Sequence, residues 1–345
     1  MIALAVRSSS TLAVVLTFVA ALLVSPTSWA DGARAPLHRS LAESPLWETW
    51  RSRFVTPEGR VVDTANAGIS HSEGQGYGLL LAVAADDPET FARIFAFTRT
   101  ELAIRDDGLL AWRWDPAAEP HVTDVNNATD GDLLVAWALH EAGKAGFGRR
   151  YADGAAVLVD ALSTMVVQDA RGRSLLSPGR EGFGWEGTDG GVVNLSYWVF
   201  PALDALAEER SDLADIARTG RTLIDEAWRE GNLTDWSRID ASGSLVPHSL
   251  DDLAPAYGYN AIRLPLYLAW AGVSAGEVVA ASNGPNGPRL SEGTGYGALN
   301  ALVACVRDGQ AVPEDVRSRL DEDYYPATLQ LLTLVALAQE HPSCL

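Results

Sequence analysis

One carboxylate in the sequence, Glu73, lies in a setting that suits an acid catalyst. It falls in the stretch His71–Gly78, which reads His-Ser-Glu-Gly-Gln-Gly-Tyr-Gly and leads into an apolar run that begins at Leu79. Glycines at the mouth of a helix let a ligand or another backbone come close, because no Cβ stands in the way. The N–H groups at a helix start also orient a carboxyl group. A capping glutamate in a glycine-rich turn explains the octet alone equally well.

Two further clusters of polar and aromatic residues stand at expected helix starts. Asn126–Asp132 reads Asn-Asn-Ala-Thr-Asp-Gly-Asp, and Tyr257–Arg263 reads Tyr-Gly-Tyr-Asn-Ala-Ile-Arg. An N-cap role explains one aspartate of the first cluster, but not two carboxylates with two asparagines. Carboxylates with Tyr and Trp on one rim suit a carbohydrate. Hydrolysis of a glycosidic bond needs a protonated carboxylic acid and a second carboxylate that acts on water or on the sugar.

The elements that must position these clusters are helices. About a dozen segments have helical periodicity, and no run of alternating strands occurs. The segment Leu109–Asp115 is predicted to be a strand or an extended loop, and the long loops Ser177–Asn194 and Gly231–Tyr259 are rich in Gly, Asp and Trp. The sequence has no repeat of fixed period, which argues against a regular solenoid. We therefore predict an all-α fold, a closed ring of paired helices with a substrate cleft in the loops at one end.

The N-terminus has the pattern of a secretory signal peptide. Residues 1–30 hold one charge, at Arg7, an apolar core and a small-residue cleavage signal that ends at Ala30. The core is short for a permanent span, although an uncleaved anchor is the alternative. We expect a single catalytic domain over residues 31–345, located in the periplasm or secreted, with no membrane insertion after cleavage.

Charge and cysteine content limit the partners. Loss of Arg7 takes the formal net charge from −19 to −20. A chain this acidic does not bind nucleic acid by neutralising phosphates, so neutral or cationic polymers are the better partners. The two cysteines, Cys305 and Cys344, are too far apart in the sequence to form a metal site by themselves. A disulfide that holds the C-terminus and a buried free thiol at Cys305 both remain open.

These motifs together resemble glycoside hydrolase family 8. The resemblance covers nearly all of residues 31–345 and implies an (α/α)6 barrel and an inverting, endo-acting hydrolase of β-1,4-linked glycans. It implies that Glu73 is the general acid and that Asp130 binds and distorts the sugar. It also implies that Tyr197 and Arg263 lie near this sugar, and the further predicted substrate-binding residues are Tyr259, Trp112, Gln75 and Asn127. Two carboxyl groups and a water suffice for this reaction, so no cofactor or metal is expected.

One position departs from the family pattern. Many members have an aspartate, the general base, where this chain has Asn260. An amide does not take a proton from water at neutral pH, although it can position that water. The candidate bases are loop residues, namely Asp251, Asp252 and Asp189.

The motifs Ala111–Asp115 and Asn126–Asp132 resemble those of endoglucanases found beside bacterial cellulose synthases. The prediction is an endo-β-1,4-glucanase acting on cellulose or a related β-glucan, with the cellulose synthase machinery as a further partner. A chitosanase, which the acidic charge suits, and a polysaccharide-binding protein with weakened catalysis, which Asn260 suggests, are the alternatives.

Overall fold

Helices build most of the chain and fall into two sets. The structure, a computed structural model, describes residues 36–185, 187, 190–249, 255–282 and 295–345, which belong to one compact unit. Twelve α-helices occur in these ranges. Six form an inner ring, in which each contacts the next and the last returns to the first. The inner helices are α2 (Ser72–Ala84), α4 (Thr129–Lys144), α6 (Phe200–Leu206), α8 (Leu264–Trp270), α10 (Gly295–Asp308) and α12 (Tyr324–Glu340).

The other six helices surround this ring, and each packs against an inner helix. They are α1 (Pro45–Phe54), α3 (Pro88–Phe97), α5 (Arg149–Leu162), α7 (Asp212–Arg229), α9 (Ala275–Ser282) and α11 (Glu314–Ser318). Inner and outer helices therefore alternate along the chain. This arrangement confirms the all-α prediction and is the (α/α)6 barrel that the sequence resemblance implies.

Sequence composition separates the two sets. Inner helix α2 is buried from Gly74 to Ala84, and α12 is buried on nearly every side, which matches their almost continuous apolar sequence. Outer helix α7 instead buries one stripe, which includes Leu213, Ile216 and Leu223, and exposes charged residues opposite. A helix that is apolar all round belongs inside, whereas an amphipathic one covers a surface.

Three small antiparallel sheets lie in those loops that the structure describes. Strand β1 (Ser70–His71) pairs with β2 (Arg113–Trp114), which confirms the extended segment predicted there. Strands β3 (Val166–Gln168) and β4 (Ser174–Leu176) form a hairpin. The third sheet has the order β5 (Gly191–Val193), β6 (Ser237–Ile239) and β7 (Leu245–Pro247). These last five strands were not predicted, because each is only three residues long.

A disulfide joins Cys305 of α10 to Cys344, with 6.1 Å between their Cα atoms, and so fixes the C-terminus to the barrel. This resolves the alternative of a free thiol at Cys305. No helix in the part of the chain that the structure describes combines the length and apolar character needed to cross a membrane. The predicted signal peptide, residues 1–30, lies outside the described residues.

Candidate active site

A cleft of about 670 Å³ opens at the end of the barrel where the inner helices begin. Glu73 enters it from the first turn of α2, Asp130 from the first turn of α4, and Arg263 from the residue before α8. Tyr325 of α12 lies on the same rim. The motifs were predicted to share one rim, and the structure brings them together because the inner helices all start at this end.

Two glycines let the starts of α2 and α4 touch. A Cβ on Gly131 would stand 2.1 Å from the Ser72 hydroxyl and 2.7 Å from the Glu73 backbone nitrogen. A Cβ on Gly76 would stand 2.5 Å from the Cβ of Leu134. Only glycine fits at such separations. The glycines of both motifs thus place Glu73 beside Asp130.

Glu73 is mostly enclosed, with 19% of its side chain exposed. The Tyr77 hydroxyl, one helical turn further on, donates to its Oε1 at 2.8 Å, and Nη1 of Arg263 contacts the same oxygen. Burial holds the pKa of Tyr77 well above its usual value, so this hydroxyl keeps its proton. The other oxygen, Oε2, lies 3.6 Å from Nδ1 of His71.

Arg263 connects the three motifs beneath the cleft. Its side chain is buried, with only 1% of the residue exposed. Nη1 contacts Glu73 and Oδ2 of Asp130, the latter at 3.3 Å. Nη2 donates to the Ser196 hydroxyl and to Oδ1 of Asn260, both at 2.9 Å. A buried guanidinium requires such partners, since an unpaired charge is costly in the interior.

The two aspartates at the start of α4 face different surroundings. Asp130 lines the cleft and accepts the Gly131 N–H at 2.8 Å. Asp132 points away from it and accepts from the Asn127 side chain and the Leu110 backbone, both at 2.9 Å. Burial raises the pKa of each carboxyl to about 7, and hydrogen bonds to both oppose the shift. Only Asp130 is available to a ligand.

Asn260 presents a donor to the cleft. A guanidinium has no acceptor, so the atom of Asn260 that faces Arg263 must be its oxygen. The amide nitrogen of Asn260, which lines the cleft, is then the group left to meet a ligand or a water. It can donate a hydrogen bond but cannot take up a proton.

Aromatic side chains form the walls of the cleft. Trp112 lines one wall and donates its indole N–H to Asp124 at 2.8 Å. Tyr259, which is 74% exposed, stands edge-on to Tyr325 with 6.2 Å between ring centroids. Tyr197 also faces the cleft, and the Arg263 guanidinium stands 5.9 Å from its ring centroid. These rings offer surfaces of the kind on which sugar rings stack.

Two predicted substrate contacts need correction. Gln75 is fully buried and is bonded to Val61 N and Thr98 Oγ1 behind α2. Asn127 is 3% exposed and binds Asp132 and the Arg180 backbone. Both side chains support the wall from behind. Residues two apart on a helix point to different faces, so Glu73 in the cleft directs Gln75 away from it.

The structure adds residues that the sequence interpretation missed, namely Asp63, Asp323, Tyr296 and Tyr325. A signal was present for part of this group, because Asp323-Tyr324-Tyr325 repeats the pattern of an acidic residue with aromatics at a helix start. The three predicted base candidates, Asp189, Asp251 and Asp252, lie outside the described residues. Among the residues that are described, no group of three or more His, Cys, Asp or Glu side chains could hold a metal ion.

Comparison with known proteins agrees with this geometry. Residues 26–284 match the model of the glycosyl hydrolases family 8. A probable endoglucanase of Novacetimonas hansenii is 36% identical in an alignment of length 322 that covers 87% of this chain and 92% of that protein. An endoglucanase of Cellulomonas uda is 35% identical over 72% of this chain and 66% of its own length.

Solved structures are similar as well. An endoglucanase from Klebsiella pneumoniae, described as a family 8 glycosyl hydrolase, superimposes with a TM-score of 0.75 and 32% identity, covering 84% of this chain and 98% of that one. An endo-β-1,4-glucanase from Acetobacter xylinum gives a TM-score of 0.73 and 34% identity, covering 86% and 97%. The chain belongs to glycosyl hydrolases family 8 and is a glycoside hydrolase.

Proposed function

We propose that the protein is an inverting endo-β-1,4-glucanase that cleaves cellulose or a related β-glucan within the chain. The observation that carries the proposal is the carboxyl of Glu73, held at the floor of a cleft whose walls are Trp112, Tyr197, Tyr259 and Tyr325. Because the cleft is open to solvent rather than enclosed, it can admit a polymer within the length of its chain. The similar proteins described as endoglucanases support the same substrate class.

Glu73 acts as the general acid. Tyr77 and Arg263 both donate to Oε1, so the transferable proton resides on Oε2. Protonation of the glycosidic oxygen lets the leaving sugar depart as an alcohol while positive charge develops at the anomeric carbon. Tyr77 and Arg263 also stabilise the carboxylate that remains after the transfer.

Asp130 binds the sugar at the cleavage point. Its Oδ1 is held by the Gly131 N–H and its Oδ2 by Arg263, so the carboxyl has a fixed orientation. A carboxylate held in this way accepts hydrogen bonds from sugar hydroxyls and favours a distorted ring over a relaxed one.

The general base is a loop aspartate. An inverting site separates its two carboxyl groups by about 6.5–9.5 Å to leave room for water. Asp130 contacts the same Arg263 nitrogen as Glu73, which brings it too close to serve. Asp63 lies beyond the His71 ring, so no sugar fits between it and Glu73. We keep Asp189, Asp251 and Asp252, the candidates from the sequence, and assign Asn260 to donate to the attacking water.

Substrate and stereochemistry are tested together. The enzyme is assayed for reducing-end release from soluble cellulose derivatives, lichenan, xylan and chitosan, and the anomer first formed is followed by proton NMR. We expect the highest rate on a cellulose derivative or lichenan and an α-anomer as the initial product. Dominant cleavage of chitosan contradicts the proposed substrate class, and an initial β-anomer contradicts the proposed inverting mechanism. If no polymer is cleaved, the result supports a polysaccharide-binding protein.

The acidic lining of the cleft favours chitosan as an alternative substrate. Besides the protonated Glu73, three acidic residues line the cleft, Asp63, Asp130 and Asp323, against one buried guanidinium. A cationic amino sugar would be attracted to such a surface. The second candidate function is therefore a chitosanase of the same family.

The site of action follows from the N-terminal pattern. We infer secretion or export to the periplasm and a role in trimming cellulose as it leaves a synthase, on the basis of the signal-peptide pattern and the branch resemblance. Cell fractionation with N-terminal sequencing checks cleavage after Ala30. Recovery of the uncleaved protein in the cytoplasm contradicts export.

A further inference from the structure

His71 occupies the N-cap position of α2, two residues before Glu73. Its Nδ1 accepts the Gly74 backbone N–H at 3.0 Å, as an N-cap side chain does. A ring nitrogen that accepts a hydrogen bond carries no proton, so in this arrangement the neutral ring has its proton on Nε2. The contact with the helix start thus selects one of the two ring tautomers.

Asp63 reinforces this choice from the opposite side of the ring. Its Oδ2 lies 3.6 Å from Nε2, and the two side chains are only 13% and 14% exposed. Oδ1 of Asp63 accepts the Ala65 N–H at 3.1 Å, which fixes the carboxylate. The 3.6 Å separation is longer than a direct hydrogen bond, so the carboxylate acts through its charge or through a bridging water. In either case it favours a proton on Nε2.

The unprotonated Nδ1 lies 3.6 Å from Oε2 of Glu73. Oε1 of this carboxyl is already occupied by Tyr77 and Arg263, and both of these are donors. Nδ1 already accepts the Gly74 N–H, so at 3.6 Å it acts on Oε2 through its partial negative charge, which disfavours an ionised oxygen and favours a protonated one. It therefore stabilises the protonated carboxyl relative to the carboxylate.

We propose that Asp63 and His71 are positioning residues that keep the proton of the acid on Oε2 of Glu73. Asp63 fixes the ring tautomer, and the partial negative charge of the unprotonated Nδ1, 3.6 Å from Oε2, favours the protonated carboxyl. The inference rests on the proposed function, in which Glu73 is the general acid. Helix capping alone accounts for the contact with Gly74 but not for a carboxylate placed beyond Nε2.

Other groups also act on this pair. Arg263 favours the ionised form of Glu73 and so opposes the effect of His71. Negative charge on Asp323, and on Asp130 when it is ionised, favours the protonated form. Tyr77 faces Glu73 from within α2, and Tyr324 of α12 lies against the His71 ring with 6.2 Å between centroids. A test must therefore separate the effect of the His71 tautomer on Glu73 from the effect of the nearby charges.

Four variants make that separation. His71→Asn keeps an acceptor for the Gly74 N–H but has no second nitrogen. Asp63→Asn removes the charge but keeps an oxygen for Nε2–H, and Asp63→Leu removes both. Asp323→Asn is the matched control, because it removes another carboxylate of the cleft, at the N-cap of α12.

The pH profile of kcat/KM is measured for each variant. We expect its alkaline limb to move to lower pH in His71→Asn and Asp63→Leu, by about one unit, which is a roughly tenfold loss on that limb at fixed pH. KM should change little, and Asp63→Asn should move the limb no further than Asp323→Asn. An unmoved limb in His71→Asn overturns the proposal.

A second measurement does not depend on activity. Long-range proton–nitrogen NMR distinguishes protonated from unprotonated ring nitrogens, and His71→Asn assigns the signal among the six histidines. We expect Nε2 protonated and Nδ1 unprotonated at neutral pH. A proton on Nδ1 refutes the inference even in an active enzyme. Failure of the proposed function would instead appear as an active Glu73→Gln variant, which leaves the tautomer result intact.

Discussion

The two sides of the cleft are built in different ways. On the side of Glu73, each carboxyl oxygen has a neighbour from the barrel, with Tyr77 and Arg263 at Oε1 and His71 at Oε2. On the side of Asn260, the oxygen of the amide is occupied by Arg263 and a donor faces the cleft. The acid side is fixed by inner helices, whereas we assign the base to a loop.

This difference has a chemical reason. The acid must deliver its proton to one oxygen of a bound polymer, and a small displacement of the donor strongly lowers the rate. The base acts on a water molecule, which can adjust its own position. A base can therefore be supplied by a loop, while the acid is best placed on a helix start.

The largest expected effect comes from breaking the acid side. Glu73→Gln retains the shape of the side chain but has no proton to give, so we expect a loss in kcat of at least ~10²–10⁴-fold. Tyr77→Phe is the matched control, since it removes one of two donors to Oε1, and we expect a smaller loss, of about tenfold. Circular dichroism establishes that both variants fold. A Glu73→Gln enzyme with a tenth of the original activity would show that the acid lies elsewhere.

Removal of the base should have the next largest effect. Among Asp189→Asn, Asp251→Asn and Asp252→Asn, we expect one variant to lose ~10²-fold or more in kcat and the other two to retain most activity. Azide, a small anionic nucleophile, should partly rescue the inactive variant and yield a glycosyl azide. Full activity in all three variants would remove the loop base from the mechanism.

Restoring the family aspartate at residue 260 tests whether this position or a loop supplies the general base. In Asn260→Asp the new carboxylate would pair with Arg263, which already contacts this position at 2.9 Å. If a loop supplies the base, we expect kcat to change by less than about threefold, because the water already has a proton acceptor. A large gain in Asn260→Asp, with no effect of the loop variants, would place the missing function at residue 260.

The smallest effect concerns stability behind the acid side. Burial raises the pKa of Asp132 to about 7, far above 3.8, so the folded protein holds a proton that the unfolded chain releases between these values. The free energy of unfolding therefore falls as pH rises through this window. In Asp132→Asn we expect the fall between pH 5 and pH 8 to shrink by on the order of 2 kcal/mol. Thermal unfolding at both pH values measures it, and an unchanged difference contradicts the assignment.

Local rules made part of the site predictable. Glycines and capping residues before apolar runs marked the starts of α2 and α4, and helical periodicity predicted helical segments without assigning them to the inner or the outer ring. Tyr77 follows Glu73 by four residues, which places both on one face of α2. The same rule would have directed Gln75 away from the cleft, and it separates Asp130 from Asp132 at the start of α4.

The sequence by itself determined the helical class and the helix starts that carry the motifs, because these depend on residues a few positions apart, whereas the role of Glu73 as the acid was an implication of the family resemblance. Only the tertiary structure decided that Arg263, 190 residues after Glu73, holds that carboxyl together with Asp130 and Asn260. It likewise set Asp63 beyond the His71 ring. Contacts of this kind depend on closure of the inner ring, and no spacing along the chain records which helix ends will meet.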